Sequence, residues 1–140
     1  MDIITRISKA MEGSKSKKLT VRDEVIITKE LAIYQLWETP IIVKDKTDGK
    51  TYVNLSSNMD EGNYYRYGRT SYSSISHTTK NRITRLTATC LTQYNWRLYE
   101  GYPQTKEEKD RPLETDCWYE VTENGLVQLQ PQLRIGGMIL

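Results

Sequence analysis

The chain has very few of the side chains that enzymes and metal proteins use for chemistry. Its 140 residues include one histidine, His77, and two cysteines, Cys90 and Cys117. A structural zinc site needs about four cysteine, histidine or carboxylate ligands, and these three residues are far apart in the sequence. Nucleophilic catalysis requires a serine, cysteine or threonine beside a base, and His77 is the only ordinary base in the chain. We therefore predict a protein that is not an enzyme and that holds no metal ion or cofactor.

Signals for secretion, membrane insertion and nucleotide binding are also missing from the sequence. No apolar run approaches the roughly 18 residues that cross a bilayer, no signal peptide stands at the N-terminus, and no glycine-rich phosphate loop opens a helix. Small secreted domains usually carry several disulfides. With two cysteines, we expect two reduced and buried thiols, the alternative being one disulfide. These absences predict a cytoplasmic protein without membrane contacts.

Phenylalanine is absent, and ten tyrosines and three tryptophans supply the aromatic side chains. A buried tyrosine needs a hydrogen-bond partner for its hydroxyl group, so this residue suits half-buried strand faces and interfaces. Hydrophobic residues make up 37% of the chain and charged residues 27%. This composition is enough for one soluble globular domain.

Strand and turn signals predict an α+β fold whose antiparallel sheet of five or six strands is built from hairpins. The Asp48-Gly49 and Asn124-Gly125 pairs favour hairpin turns because glycine readily adopts positive φ. β-branched and aromatic residues mark the strands that flank these turns. The predicted strands lie at residues 25–29, 32–37, 41–46, 51–55, 96–99, 117–121 and 126–130.

Two helices are predicted, one short and one long. The short amphipathic helix covers residues 2–12 and is followed by a basic linker that ends at Lys18. The main helix is predicted at about residues 79–94 with an N-cap at Thr78 or Thr79, because apolar residues recur there at helical spacing. We divide the chain into the N-terminal helix and linker at 1–18 and a single α+β domain at 19–140.

The net charge is only +2, but charges of each sign are segregated along the chain. No acidic residue occurs between Asn63 and Tyr99, whereas the stretch from Glu100 to Glu123 is rich in acids. Within the acid-free stretch, tyrosine rings alternate with arginines, and more basic residues follow. The predicted contact residues are Tyr64, Tyr65, Arg66, Tyr67, Arg69, Tyr72, His77, Lys80, Arg82 and Arg85.

Three interpretations of this stretch stay open. Tyrosine rings stack on bases while arginines neutralise phosphates, which indicates nucleic acid. The same residue types also build adaptable protein-binding surfaces. The third interpretation is that the rings cover the edge of the core. Basic side chains in the first turns of the following helix oppose its macrodipole, an arrangement that an anionic partner would offset.

Two short motifs resemble a family of small phage and mobile-element proteins of unknown function. The first motif is Glu38-Thr-Pro-Ile41 before a predicted strand, and the second is Ser76-His-Thr-Thr-Lys-Asn-Arg-Ile83, followed by Leu86. The resemblance covers about residues 32–86. The chain departs from the family pattern at Arg82, where histidine is usual, and in a longer insertion at 58–65. The resemblance implies a phage-type accessory protein and transfers no activity.

These observations together predict a non-enzymatic, phage-type accessory or anti-host protein in the host cytoplasm. Such an inhibitor would serve evasion of host defence by binding nucleic acid or a host protein that handles nucleic acid. One alternative is a structural protein that forms a homo-oligomer through its N-terminal helix and its apolar tail, Met138–Leu140. Another is a small carboxylate-dependent enzyme.

Overall fold

An antiparallel sheet of seven strands forms the centre of the structure. The structure is a computed structural model, and it describes residues 1–57 and 75–140. The strands are, in spatial order, β1 (Lys17–Lys18), β2 (Asp23–Ile27), β3 (Leu31–Leu36), β4 (Thr39–Asp45), β5 (Thr51–Asn54), β8 (Trp118–Thr122) and β9 (Gly125–Gln128). All neighbouring strands are antiparallel. The predicted α+β fold built from hairpins is confirmed, although the sheet has seven strands rather than five or six.

Three helices and two small hairpins complete the part of the chain that the structure describes. The helices are α1 (Ile3–Met11), α2 (His77–Thr87) and α3 (Lys106–Lys109). One hairpin joins β6 (Leu91–Tyr94) to β7 (Arg97–Glu100), and the other joins β10 (Arg134–Ile135) to β11 (Met138–Ile139). No helix in 1–57 or 75–140 has the length and apolar character needed to cross a bilayer.

The two faces of the central sheet carry separate apolar clusters. Successive strand residues point to opposite faces, so Tyr34 packs in one cluster and its neighbour Ile33 in the other. Residues of α1, α2 and the β6–β7 hairpin belong to the first cluster, whereas residues of the β10–β11 hairpin pack on the second. Because both faces are covered, β3 is buried at every position except Gln35.

Helix α1 forms as the spacing of its apolar residues predicts. The Asp2 side chain caps the helix by accepting a 2.8 Å hydrogen bond from the Thr5 amide. Ile4 and Ile7 are buried, and Ile7 belongs to the core cluster beneath α1 and α2. At the other end of the chain, Leu140 exchanges two backbone hydrogen bonds with Leu133. The N-terminal helix and the apolar tail therefore both pack on their own chain.

The prediction that the main helix continues to about residue 94 is wrong. Helix α2 ends at Thr87, Ala88 adopts a left-handed φ of 55°, and residues 91–94 form strand β6. Threonines at 84, 87, 89 and 92 disfavour helix because β-branched side chains lose rotamer freedom there. Leu91 and Leu98 are buried in the first cluster as members of the hairpin, so tertiary packing decides in favour of strand.

Two smaller expectations also need correction. The N-cap of α2 is Ser76, whose hydroxyl accepts a 3.1 Å hydrogen bond from the Thr79 amide, rather than Thr78 or Thr79. Both cysteines are free, but only Cys117 is buried, whereas Cys90 is exposed. Cys90 was expected inside the longer helix and instead lies in the exposed connection between α2 and β6.

Candidate nucleic-acid interface

The predicted contact residues fall into two groups. Six of them lie outside the residues that the structure describes, namely Tyr64, Tyr65, Arg66, Tyr67, Arg69 and Tyr72. The others, His77, Lys80, Arg82 and Arg85, belong to α2. The site can therefore be built from α2 and from the elements packed around it.

The outward side of α2 carries basic groups. His77 and Arg85 are exposed and Lys80 is half-buried. With the exposed Asn81, they occupy the outward half of the helix, opposite the buried Thr79 and Ile83. We call His77, Lys80 and Arg85 the basic face of α2.

Among the residues that the structure describes, little negative charge opposes this basic face. The first turn of α2 contains no acidic residue. A guanidinium nitrogen of Arg85 lies 3.9 Å from a carboxylate oxygen of Asp2, and both side chains are more than half exposed. Ion pairs that are this exposed contribute little, because water and salt screen them. The positive charge of the face is thus available to a partner.

Arg82 is not part of the basic face, although the sequence placed it among the contact residues. Only 5% of this residue is exposed. It lies on the inner side of α2 with Thr79 and Ile83, which are also buried. Its guanidinium Nε is 3.1 Å from Oδ1 of Asp23, and Nη2 is 3.4 Å from Oδ2. Arg82 therefore fastens α2 to strand β2.

Asp23, Tyr34 and Arg82 form a buried charge cluster between α2 and the sheet. The Tyr34 hydroxyl donates a 2.5 Å hydrogen bond to Oδ1 of Asp23 and accepts one of 3.2 Å from Nε of Arg82. The Thr20 hydroxyl donates a 2.6 Å hydrogen bond to Oδ2 of Asp23. Each oxygen of the carboxylate thus has partners within the protein.

The hydrogen bonds fix the protonation states of this cluster. Burial acts to raise the pKa of Asp23, but hydrogen bonds from Thr20, Tyr34 and Arg82 outweigh burial and lower the pKa below its ordinary value. Burial and the Asp23 carboxylate raise the pKa of the Tyr34 hydroxyl far above its ordinary value. The cluster consequently holds an ionised Asp23, a neutral Tyr34 and a charged Arg82. Because it is shielded from solvent, it acts as a structural clamp.

An aromatic group on the β6–β7 hairpin was missed by the sequence analysis. The Tyr94 ring lies edge-on to Tyr102 with ring centroids 5.5 Å apart, and edge-on to Tyr99 at 6.4 Å. Lys109 places its Nζ 5.2 Å from the centroid of the Tyr94 ring. We call Tyr94, Tyr102 and the turn residue Trp96 the aromatic patch. The predicted helix over residues 79–94 put Tyr94 and Tyr102 in different elements. A hairpin turn predicted at Asn95-Trp96 would have brought the two rings together.

Ser57 and Ile75, the described residues on either side of segment 58–74, each form hydrogen bonds with neighbouring parts of the fold. The Ser57 amide and hydroxyl each donate a 2.9 Å hydrogen bond to Oδ1 of Asp116, shortly before β8. The Ile75 carbonyl accepts a 3.3 Å hydrogen bond from the Gln93 side chain of β6. Ile75 therefore stands between the start of α2 and the β6–β7 hairpin.

In residues 1–57 and 75–140, no group of three or more histidine, cysteine, aspartate or glutamate side chains is placed to hold a metal ion. No protein-family model, curated protein or solved structure matches the chain. The basic face of α2, the buried charge cluster and the aromatic patch are the features of the described residues that bear on function.

Proposed function

We propose that the protein is a non-enzymatic, phage-type accessory protein that binds nucleic acid in the host cytoplasm. The observation that carries this proposal is the sorting of charge on α2. Its inward arginine, Arg82, is matched by the buried Asp23, whereas in residues 1–57 and 75–140 the acid paired with the basic face of α2 is the exposed Asp2, 3.9 Å from Arg85. A buried cation that is paired with a buried acid, as Arg82 is, stabilises the fold. Exposed cations without such a buried partner favour the binding of an anionic ligand.

The surrounding sequence strengthens this proposal. Helix α2 lies within the stretch from Asn63 to Tyr99 that contains no acidic residue. The interleaved tyrosines and arginines precede it directly in the chain. Phosphate contacts by lysine and arginine supply most of the affinity of non-specific nucleic-acid binding, and tyrosine rings can stack on bases. The phage-type setting is implied by the family resemblance of residues 38–41 and 76–83, and a part in evading host defence is our proposal for a protein in that setting.

Charge reversal on the basic face of α2 tests the proposal. The double variant Lys80→Glu with Arg85→Glu should weaken the binding of a fluorescent oligonucleotide by roughly tenfold or more at fixed salt, because it replaces phosphate contacts with repulsion. Lys29→Glu is the matched control, since Lys29 is exposed and lies in the turn between β2 and β3. Equal affinities of the double variant and the wild type would contradict the proposal.

Purification of the protein from a host lysate shows whether its partner is nucleic acid or another protein. If the partner is nucleic acid, treatment with nuclease removes the material that co-purifies with the protein. A host protein that stays bound after this treatment, and is lost from the double variant, would identify the basic face as a protein-binding surface instead.

The other two functions predicted from the sequence have tests of their own. A homo-oligomer that assembles through α1 and the tail predicts a large species by light scattering whose mass does not change on dilution, and a monomer would contradict it. A carboxylate-dependent enzyme predicts a hydrolytic activity that is lost when its acidic residues are replaced by amides, and a wild-type protein without such activity would contradict it.

A further inference from the structure

The aromatic patch exposes more apolar ring surface than packing requires. Trp96 is 64% exposed and Tyr102 is 60% exposed. A tryptophan or tyrosine side chain can bury 150–250 Å² in a core or an interface, so leaving two such rings in water forgoes a large contribution to stability. Exposed aromatic rings of this kind are frequent in binding surfaces.

The opposite face of the β6–β7 hairpin holds it firmly in the fold. Leu91 and Leu98 are buried in the core cluster, and the Gln93 side chain donates a hydrogen bond to the Ile75 carbonyl. Glu100 accepts a 3.0 Å hydrogen bond from the Leu126 amide of β9. All four residues share one face of the hairpin because Leu91 pairs with Glu100 and Gln93 pairs with Leu98.

The outward face of the same hairpin carries the rings. Tyr94 pairs with Arg97 on this face, and Thr92 pairs with Tyr99. Tyr99 is 4% exposed and its hydroxyl donates a 2.6 Å hydrogen bond to the Lys109 carbonyl. The Tyr99 ring is therefore a fixed support for Tyr94, which in turn contacts the exposed Tyr102. This arrangement positions the Tyr94 and Tyr102 rings before any ligand arrives.

Two cations lie on or beside these rings. Arg97 is exposed on the outward face, and Lys109 lies over the Tyr94 ring. The acids of the α3 segment, Glu107, Glu108 and Asp110, are exposed as well; Glu107 forms a 3.1 Å ion pair with Arg111, and Glu108 accepts a hydrogen bond from the capping hydroxyl of Thr105. Rings flanked by cations favour an anionic ligand with flat surfaces to stack.

We infer that the ligand is single-stranded nucleic acid, whose bases stack on Trp96 and Tyr102 while its phosphates meet Arg97 and the basic face of α2. This inference rests on the proposed function and specifies the form of nucleic acid. The bases of a duplex are stacked on each other and leave no free ring face, whereas unpaired bases stack readily on aromatic side chains. The Gln93–Ile75 hydrogen bond joins the hairpin to the residue just before the α2 cap, so the patch and the basic face of α2 belong to adjoining elements.

Two pairs of variants test the stacking role of the patch. Trp96→Ala and Tyr102→Leu remove a ring, whereas Trp96→Tyr and Tyr102→Phe keep one. Trp37→Ala is the matched control, because Trp37 is also an exposed tryptophan in a two-residue hairpin turn, with a φ of 50° against 66° for Trp96. Fluorescence anisotropy at fixed salt would give the affinity for DNA and RNA oligonucleotides of about 12 nucleotides, each as a single strand and as a duplex.

The inference predicts that the single strands bind more tightly than the duplexes. Loss of either ring should weaken single-strand binding by roughly 5- to 150-fold, while the ring-keeping variants and Trp37→Ala bind as the wild type does. Circular dichroism checks that each variant is folded. If Trp96→Ala does not fold, Tyr102→Leu alone tests the stacking role of the patch.

Two outcomes would overturn the inference, and they can be told apart. If single strands and duplexes bind the wild type equally well and ring removal has no effect, stacking on the patch is wrong while the proposed function stands. If neither form binds the wild type, the proposed function and this inference both fall.

Discussion

Arg82 shows how one residue can mislead an argument based on charge along the sequence. It stands in an acid-free stretch between Lys80 and Arg85, yet it is buried against Asp23, which lies 59 residues earlier in the chain. The helical spacing of Thr79, Arg82 and Ile83 could have placed Arg82 on the inner side of α2. Its partner could not have been predicted, because the pairing depends on how α2 crosses the sheet.

Replacing Asp23 should destabilise the fold strongly. In the Asp23→Asn variant, the Arg82 guanidinium stays buried without a counter-charge, and breaking a buried ion pair in this way costs roughly 3–5 kcal/mol. Urea unfolding followed by circular dichroism measures the change in the free energy of unfolding. The matched control is Arg22→Gln, because Arg22 lies 3.7 Å from Asp23 but has a 40% exposed side chain. Equal small effects of the two substitutions would show that the cluster does not clamp α2.

The same carboxylate should make stability depend on acid pH. The pKa of Asp23 is lowered in the folded protein from an ordinary value of 3.8. The contribution of the ionised Asp23 to the free energy of unfolding is therefore fully present above the unfolded-state pKa. It is lost as pH falls through the folded-state pKa. Urea unfolding at several pH values should show stability falling below about pH 4.

Asp23→Asn should flatten this acid dependence without abolishing it. Hydrogen bonds from Thr47 also lower the pKa of Asp45, and this carboxylate keeps its own contribution in the variant. A wild-type protein whose stability is unchanged by acid, or a variant with the full wild-type dependence, would contradict the assignment of an ionised Asp23.

At the scale of elements, hairpins were more predictable than helix ends. The β4–β5 and β8–β9 hairpins follow from local turn residues and alternating side chains, which need no distant partner. The end of α2 does not follow from local pattern, since Leu91 and Tyr94 fit helical spacing as well as they fit strand β6. Burial of Leu91 and Leu98 decided that choice, and burial depends on the whole fold.

Gly125 should be required where the β8–β9 turn meets the β6–β7 hairpin. Its φ is +113°, and an added Cβ would lie 2.9 Å from the Oε2 atom of Glu100. Gly125→Ala should lower the free energy of unfolding by about 1–3 kcal/mol, through backbone strain and displacement of Glu100. Thermal unfolding measures the loss.

Gly49→Ala is the control for Gly125→Ala. Gly49 has a φ of +77° but nothing within 4 Å of an added Cβ, so this variant reports backbone strain without a steric clash. We expect the smaller loss of stability from Gly49→Ala. The reverse order would show that Glu100 does not hold the hairpin against β9.

At the scale of the whole molecule, both edges of the central sheet are protected. The edge strand β1 consists of two exposed lysines, and charged residues on an edge discourage pairing with another chain. At the other edge, the Leu126 amide of β9 is occupied by Glu100. Helix α2 and the β6–β7 hairpin lie on one face of this sheet. The rigid sheet thus presents the basic face of α2 and the aromatic patch from the same layer.

The segregation of charge could be read from the sequence, whereas its arrangement in space could not. The sequence placed Lys80 and Arg85 correctly in a helix, and their outward positions agree with a contact role, whereas His77 lies in α2 although the predicted helix begins near residue 79. The aromatic patch depends on contacts between Tyr94 and Tyr102 across a hairpin, and no local pattern encodes those contacts.

The salt dependence of oligonucleotide binding by the wild-type protein tests nucleic-acid binding most directly. Binding through phosphate contacts releases counterions, so log Kd should rise linearly with log salt concentration. Each residue of the basic face that contacts a phosphate should contribute about one to the slope, and Lys80→Glu with Arg85→Glu should reduce the slope by about two. A Kd that does not change with salt, or no binding at low salt, would contradict the account.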